Sequence, residues 1–275
     1  DSDDLLKPDA LQRRVEVMER DARIQFAVFP HEVFRQTPGD LGLYWNAFSD
    51  EHDLDRFLRG DVPWGTPGPI WRREALDVVG PWDPTLPVWQ DWEFHVRALV
   101  KQLRYEKVAE PDAHVRIGHV GQLSHSADYY TKMAQSIPKA HATLRSADQL
   151  TPDRVTLLRG LMGHAIVSCV SQDEPAKARA IWRMCRADDL VGAARYMEGM
   201  AALYVTSVAL FRQNARVYLT SRFCEFLVVQ KQTSLCASRE AYTRTTPGDS
   251  THAKIGKRRF WGFAALRATF SPPWD

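Results

Sequence analysis

Ile70-Trp71-Arg72-Arg73-Glu74-Ala75-Leu76, then Val79-Gly80-Pro81-Trp82-Asp83, then Trp89-Gln90-Asp91-Trp92-Glu93-Phe94: the reading of the fold turns on this stretch. Residues 63–69 before it (Pro-Trp-Gly-Thr-Pro-Gly-Pro) are too rich in proline and glycine for regular structure. Order resumes at Ile70 and Trp71. Residues 74–79 predict a short helix, stopped by Gly80-Pro81. Residues 91–100 predict an amphipathic helix, with Asp91 near its start, where the helix dipole favours an acid.

Upstream, residues 24–29 (Ile-Gln-Phe-Ala-Val-Phe) form a short apolar, aromatic run that predicts a strand. Leu11, Val15 and Met18 recur at helical spacing after Pro8, which suits a first helical turn. Residues 30–52, with Pro30, Pro38, Gly39 and Gly42, read mostly as loop, and Leu54, Phe57 and Leu58 as a short helix. Downstream, 104–109 and 113–117 read as strands. Beyond residue 127 helical patterns take over, at 129–146, 152–170, 175–186, 188–211 and 215–230. Thr151-Pro152 is a good helix start, with Thr151 as N-cap and Pro152 at the first position. The expected organisation is an α/β part over 1–128, an α-helical region over 129–242, and a loop with a basic, aromatic tail over 243–275.

The formal net charge of +2 is too small to point to nucleic acid as a partner. A hydrophobic share of 44% suits an ordinary packed core. The opening residues are neither a basic nor an apolar leader, and no run approaches the ~20 apolar residues of a membrane span. A cytoplasmic location is therefore expected. Membrane association would come through the tail, where Lys254, Lys257, Arg258 and Arg259 mix with Phe260, Trp261 and Phe263. The plainer alternative for that tail is an exposed basic end. Cys169, Cys185, Cys224 and Cys236 form no C-x-x-C pair, so buried free thiols are expected rather than a zinc site.

Two motifs carry chemistry. Asp1-Ser2-Asp3-Asp4 crowds three carboxylates that repel one another, and a hard divalent cation such as Mg2+ or Mn2+ would offset that repulsion. A solvated acidic run is the alternative. Trp89-Gln90-Asp91-Trp92 sets a carboxylate between two indoles at a helix start, a setting suited to a general base. The alternative is a helix-start acid beside packing tryptophans.

The order of these elements resembles family 2 glycosyltransferases of the GT-A type. The shared run comprises Asp1-Ser2-Asp3-Asp4 and Pro8, residues 70–76, Val79-Gly80-Pro81-Trp82-Asp83, Gln90-Asp91-Trp92-Glu93, Arg97-Ala98-Leu99, Val115-Arg116-Ile117-Gly118-His119 and Ser124. It covers residues 1 to about 126. The resemblance implies a partial GT-A domain that lacks its N-terminal βαβ half, so that the isolated chain transfers sugar weakly or not at all. It implies a nucleotide-sugar donor and a glycan, polysaccharide or lipid-linked acceptor.

By the same resemblance, Asp1 and Asp3 are the carboxylates of the metal motif. Asp1 also faces the donor ribose, and Asp4 is a second candidate ligand. His119 is a further metal or diphosphate contact, and Arg116 approaches the diphosphate. Trp64, Gly65 and Thr66 match the acceptor-side loop. Asp91 falls at the catalytic base of inverting members. Gln90 stands where many members carry an acid, which removes one neighbouring negative charge. Two rival classes remain: a non-catalytic helical interaction protein with a degenerate transferase half, and a metal-dependent phosphohydrolase using Asp1, Asp3 and Asp4.

Overall fold

A computed structural model of the chain describes residues 3–118, 126, 128–187, 190 and 199, and the backbone of 237–238. The fold is mixed α/β, with two small sheets and a helical layer. The helices expected at 188–211 and 215–230, Cys224 and Cys236, the 243–252 loop and the 254–263 tail lie outside a continuous description. Among the described residues no helix is long and apolar enough to cross a membrane.

The first sheet is built on the apolar run read as a strand. β2 (Phe26–Val28) is its central member, antiparallel to β5 (Pro69–Trp71) and parallel to β6 (Tyr105–Lys107). The register sets Phe26 opposite both Trp71 and Tyr105. The three rings stack across the sheet, with centroids 4.2 Å and 4.7 Å from Phe26. Such cross-strand aromatic pairs stabilise a sheet beyond their buried area. Alternation along β2 sends Phe26 and Val28 into the main core and Ala27 into a smaller cluster with Val17, Met18 and Ile24.

α1 (Ala10–Arg20) covers that second face, but its periodic apolar residues do not all face inward. Leu11 and Val15 are exposed, and Ala10, Arg14, Val17 and Met18 are buried. The cause is Arg14. Its guanidinium makes a two-pronged pair with buried Asp112, at 2.6 and 2.9 Å, and a further bond to the Pro67 carbonyl. A guanidinium held by two bonds to a carboxylate is the form in which that charge tolerates burial.

Residues 30–52 are mostly loop, as expected, but hold two short strands that the reading missed. These are β3 (His31–Phe34) and β4 (Leu43–Tyr44), which belong to a second sheet ordered β1-β7-β3-β4-β8. Its other members are β1 (Leu5–Leu6), β7 (Ala113–Arg116) and β8 (Ala237–Ser238). The polar His31 and Glu32 hide β3 from a hydrophobicity reading, yet all four of its residues are buried. Glu32 is tolerated there because Lys7 and His114 stand 3.6 and 3.3 Å from its carboxylate.

α2 (Asp53–Leu58), α3 (Arg73–Val79) and α4 (Gln90–Val100) pack on the inner face of the first sheet. α3 ends as expected at Gly80, whose φ of 87° needs glycine. α4 is not amphipathic: Glu93 and His95 are buried along with its apolar residues. The expected helix over 129–146 is two, α5 (Tyr129–Ala134) and α6 (Ser136–Ser146), adjoining at Gln135. α7 (Pro152–Ser171) and α8 (Pro175–Ala187) follow, and the Thr151 hydroxyl caps α7 by accepting from the Arg154 N–H. One core runs from Phe26 through α4 into α5–α8. The change of character near residue 128 is therefore a change of layer within a shared core. Cys169 and Cys185 are buried free thiols, as expected.

Candidate functional site

The 63–69 loop is pinned at both ends before it presents anything. Gly68 donates its N–H to the Gly65 carbonyl and accepts from the Phe29 N–H. A Cβ on Gly68 would stand 3.1 Å from the Phe29 carbonyl and 3.2 Å from Trp64 Cβ, so the close approach to β2 calls for glycine. Arg14 holds the loop from below through Pro67. The glycines therefore bring backbone against backbone. Trp64 is buried in the core, edge-on to Phe57 at 5.0 Å, and not at a cleft wall.

Thr66 faces the other way. Its hydroxyl donates to Asp91 Oδ2 at 2.9 Å, joining the loop to the first turn of α4. Asp91 Oδ1 accepts from the Trp92 N–H at 2.8 Å. The carboxylate is thus oriented at both oxygens, on a helix start whose dipole favours its charge. The helix beneath it is firmly anchored. Trp92 donates its indole N–H to the Phe57 carbonyl, and Glu93 pairs with Arg97 at 2.8 Å. Arg97 also binds the carbonyls of Val79 and Pro81, closing the C-terminal end of α3. Arg72 does the same for α1, binding the carbonyls of Ile24 and Met18, so it is a structural arginine.

Two histidines that the sequence reading missed flank this point. His95 lies one turn beyond Asp91 on α4, and the His31 imidazole stands 3.7 Å from where a Gly65 Cβ would be. Burial holds each imidazole down to about 4. For His31 the Phe29 carbonyl opposes that shift and the Arg14 charge adds to it. For His95 the Asp91 charge opposes it. Both rings are therefore neutral at neutral pH, and neither brings a positive charge to Asp91. The i to i+4 spacing of Asp91 and His95 was a signal for one of them. His31 gave none, because its strand was read as loop.

The acidic run sits elsewhere on the second sheet. β1 pairs antiparallel with β7, which brings Asp4 beside the end of that strand, where its Oδ1 accepts from the Arg116 N–H at 3.0 Å. The Arg116 guanidinium lies over the Phe34 ring at 4.5 Å and donates to the Arg35 carbonyl. Asp3 and Asp4 are half-buried. Phe34 is in register with Arg116, and His31 is three residues back along β3. β3 therefore runs between a residue near the 63–69 loop, His31, and a residue paired with the strand that Asp4 adjoins, Phe34. Asp1 and His119 lie outside the described residues.

Among the described residues no group of three or more His, Cys, Asp or Glu side chains is arranged to hold a metal ion. Asp3 and Asp4 supply hard oxygen donors of the kind Mg2+ and Mn2+ prefer, which is a partial donor set. No protein-family model matches the chain, and a search of curated proteins finds no match.

Proposed function

We propose that the chain is the metal-binding and acceptor-side part of a GT-A-type, family 2-like glycosyltransferase. It would move a sugar, with inversion, from a nucleotide-diphosphate donor to an acceptor hydroxyl on a glycan, polysaccharide or lipid-linked molecule. The observation that supports this most is the hydrogen bond from Thr66 to Asp91, since the resemblance assigns these two residues to the acceptor loop and the base.

In this reading Asp91 takes the proton from the acceptor hydroxyl as that oxygen attacks. Thr66 keeps the carboxylate aimed, and neutral His95 adds no positive charge beside it. Arg116 contributes positive charge near the diphosphate. Asp3 and Asp4, with Asp1 and His119 as further donors, would hold a Mg2+ or Mn2+ ion that neutralises charge on the leaving diphosphate.

Titration with a set of nucleotide-diphosphate sugars, with and without Mn2+, tests the reading in a longer protein that carries a nucleotide-binding half ahead of Asp1, since the resemblance implies that this chain lacks it. Metal-dependent binding that is lost in Asp3→Asn/Asp4→Asn is expected. Any transfer should fall about 100- to 10,000-fold in Asp91→Asn, the range for loss of a general base. Absence of metal-dependent nucleotide-sugar binding in that longer protein would remove the transferase in favour of a helical interaction protein. Phosphate release without acceptor, indifferent to Asp91→Asn, would favour a phosphohydrolase.

A further inference from the structure

Trp89 is where the backbone departs furthest from what its side chain prefers. Its φ is 61°, in the left-handed region, at the N-cap of α4. N-cap residues are normally extended, and a bulky side chain rarely enters that region. The other described non-glycine residues there are Gln102, Asp148 and Asp173, polar residues just past the ends of α4, α6 and α7. That is an ordinary helix-end position. Trp89 has no such explanation, and strain of this kind collects at ligand sites.

The surroundings fix the indole in place. Its N–H donates to the Tyr129 hydroxyl at 2.8 Å, and its ring lies 5.2 Å from that of Trp92. Tyr129 meets Tyr130 edge-on at 5.4 Å. Trp89 and Tyr129 are each half-buried, and both pack against the main core. Asp91 is two residues along from Trp89. It is near enough to Tyr129 that its charge adds to the upward push that burial gives the phenol. Trp89 and Tyr129 are therefore neighbours of the carboxylate that Thr66 also binds.

We propose that Trp89 and Tyr129 form a carbohydrate-binding ledge on which a sugar ring of the acceptor rests beside Asp91. The C–H face of a pyranose is apolar and stacks on an indole, and two rigid aromatic rings lose little freedom on binding. The role given to Asp91 rests on the transferase reading, whereas saccharide binding itself does not.

Calorimetry with cellotetraose, chitotetraose and maltotetraose, without nucleotide or metal, tests the ledge. At least one should bind. Trp89→Leu keeps apolar volume and should weaken that binding about tenfold, a typical loss for one aromatic stack. Tyr129→Phe keeps the ring but frees the indole N–H and should weaken binding a few-fold, which keeps the test decisive where Trp89→Leu fails to fold. Trp82→Ala removes an exposed indole stacked on Phe94 and should leave binding unchanged. Binding by none of the three saccharides, or binding indifferent to both Trp89→Leu and Tyr129→Phe, overturns the ledge. Saccharide binding that needs Trp89, where the longer protein ignores nucleotide sugars, keeps the ledge and discards the transferase. Metal-dependent nucleotide-sugar binding without saccharide binding does the reverse.

Discussion

The α/β layer and the helical layer share one core but are held together differently. In the α/β layer Arg14, His31, Glu32, Asn46, Asp53, Arg56, Asp61, Glu93, His95 and Asp112 are all buried. Arg56 and Arg59 converge on Asp61, and Asp53 takes Tyr105 and Lys107 at 2.5 and 2.7 Å. Across α5–α8 the core is mainly apolar, through Ile137, Leu144, Leu158, Leu161, Ile166, Ile181 and Trp182. The buried polar residues described there are Ser136 and His141. Buried ion pairs are a poor route to stability. Their concentration in one layer marks where the chain needs loops and carboxylates held in fixed positions. The helical layer needs only bulk.

Cutting a polar tie should therefore have the largest effect. Asp112→Ala leaves the Arg14 guanidinium buried and unpaired, and chemical denaturation should show a loss of about 3–5 kcal/mol. Arg14→Met with Asp112→Leu should recover most of it. If the single change costs under 1 kcal/mol, the contrast between the layers is empty. The matching cut in the helical layer, Leu161→Ala, should cost about 2–5 kcal/mol through lost burial and a cavity. No paired change of charge should rescue it.

Acid sharpens the comparison. His31 and His95 are held near 4 in the folded chain and return toward 6.5 when it unfolds. Below 6.5 the unfolded chain takes up protons that the folded chain refuses, so stability falls as pH drops through that window and is level above it. From 6.5 to about pH 5 the loss is about 2 kcal/mol per histidine. His95→Phe should flatten that limb. An unchanged slope in denaturant melts would mean the imidazole is not held neutral. The smallest effect belongs to the exposed face of α1, where Leu11→Ser should stay within about 0.5 kcal/mol.

Much of this fold was legible locally. The aromatic run of β2, the Gly80 stop of α3, the Thr151 cap of α7 and the spacing in α8 each rest on neighbours a few residues away. Backbone preference and periodicity report such things directly. What escaped involved partners far along the chain. The inward face of α1 is set by Arg14 meeting Asp112, 98 residues on. β3 looked like loop because its Glu32 is made tolerable by Lys7 and His114.

The candidate site divides in the same way. Asp91 and its two indoles could be singled out from residue type and position alone, as could the acidic run and the glycine-bearing loop. The sequence by itself determined which groups are available and that α4 opens with an acid. Only the tertiary structure decided that Thr66 is what Asp91 meets, that two neutral histidines lie beside them, and that Trp89 is bent toward Tyr129. A hydrogen bond between residues 25 apart depends on how β2, the loop and α4 pack, and no local propensity encodes that packing.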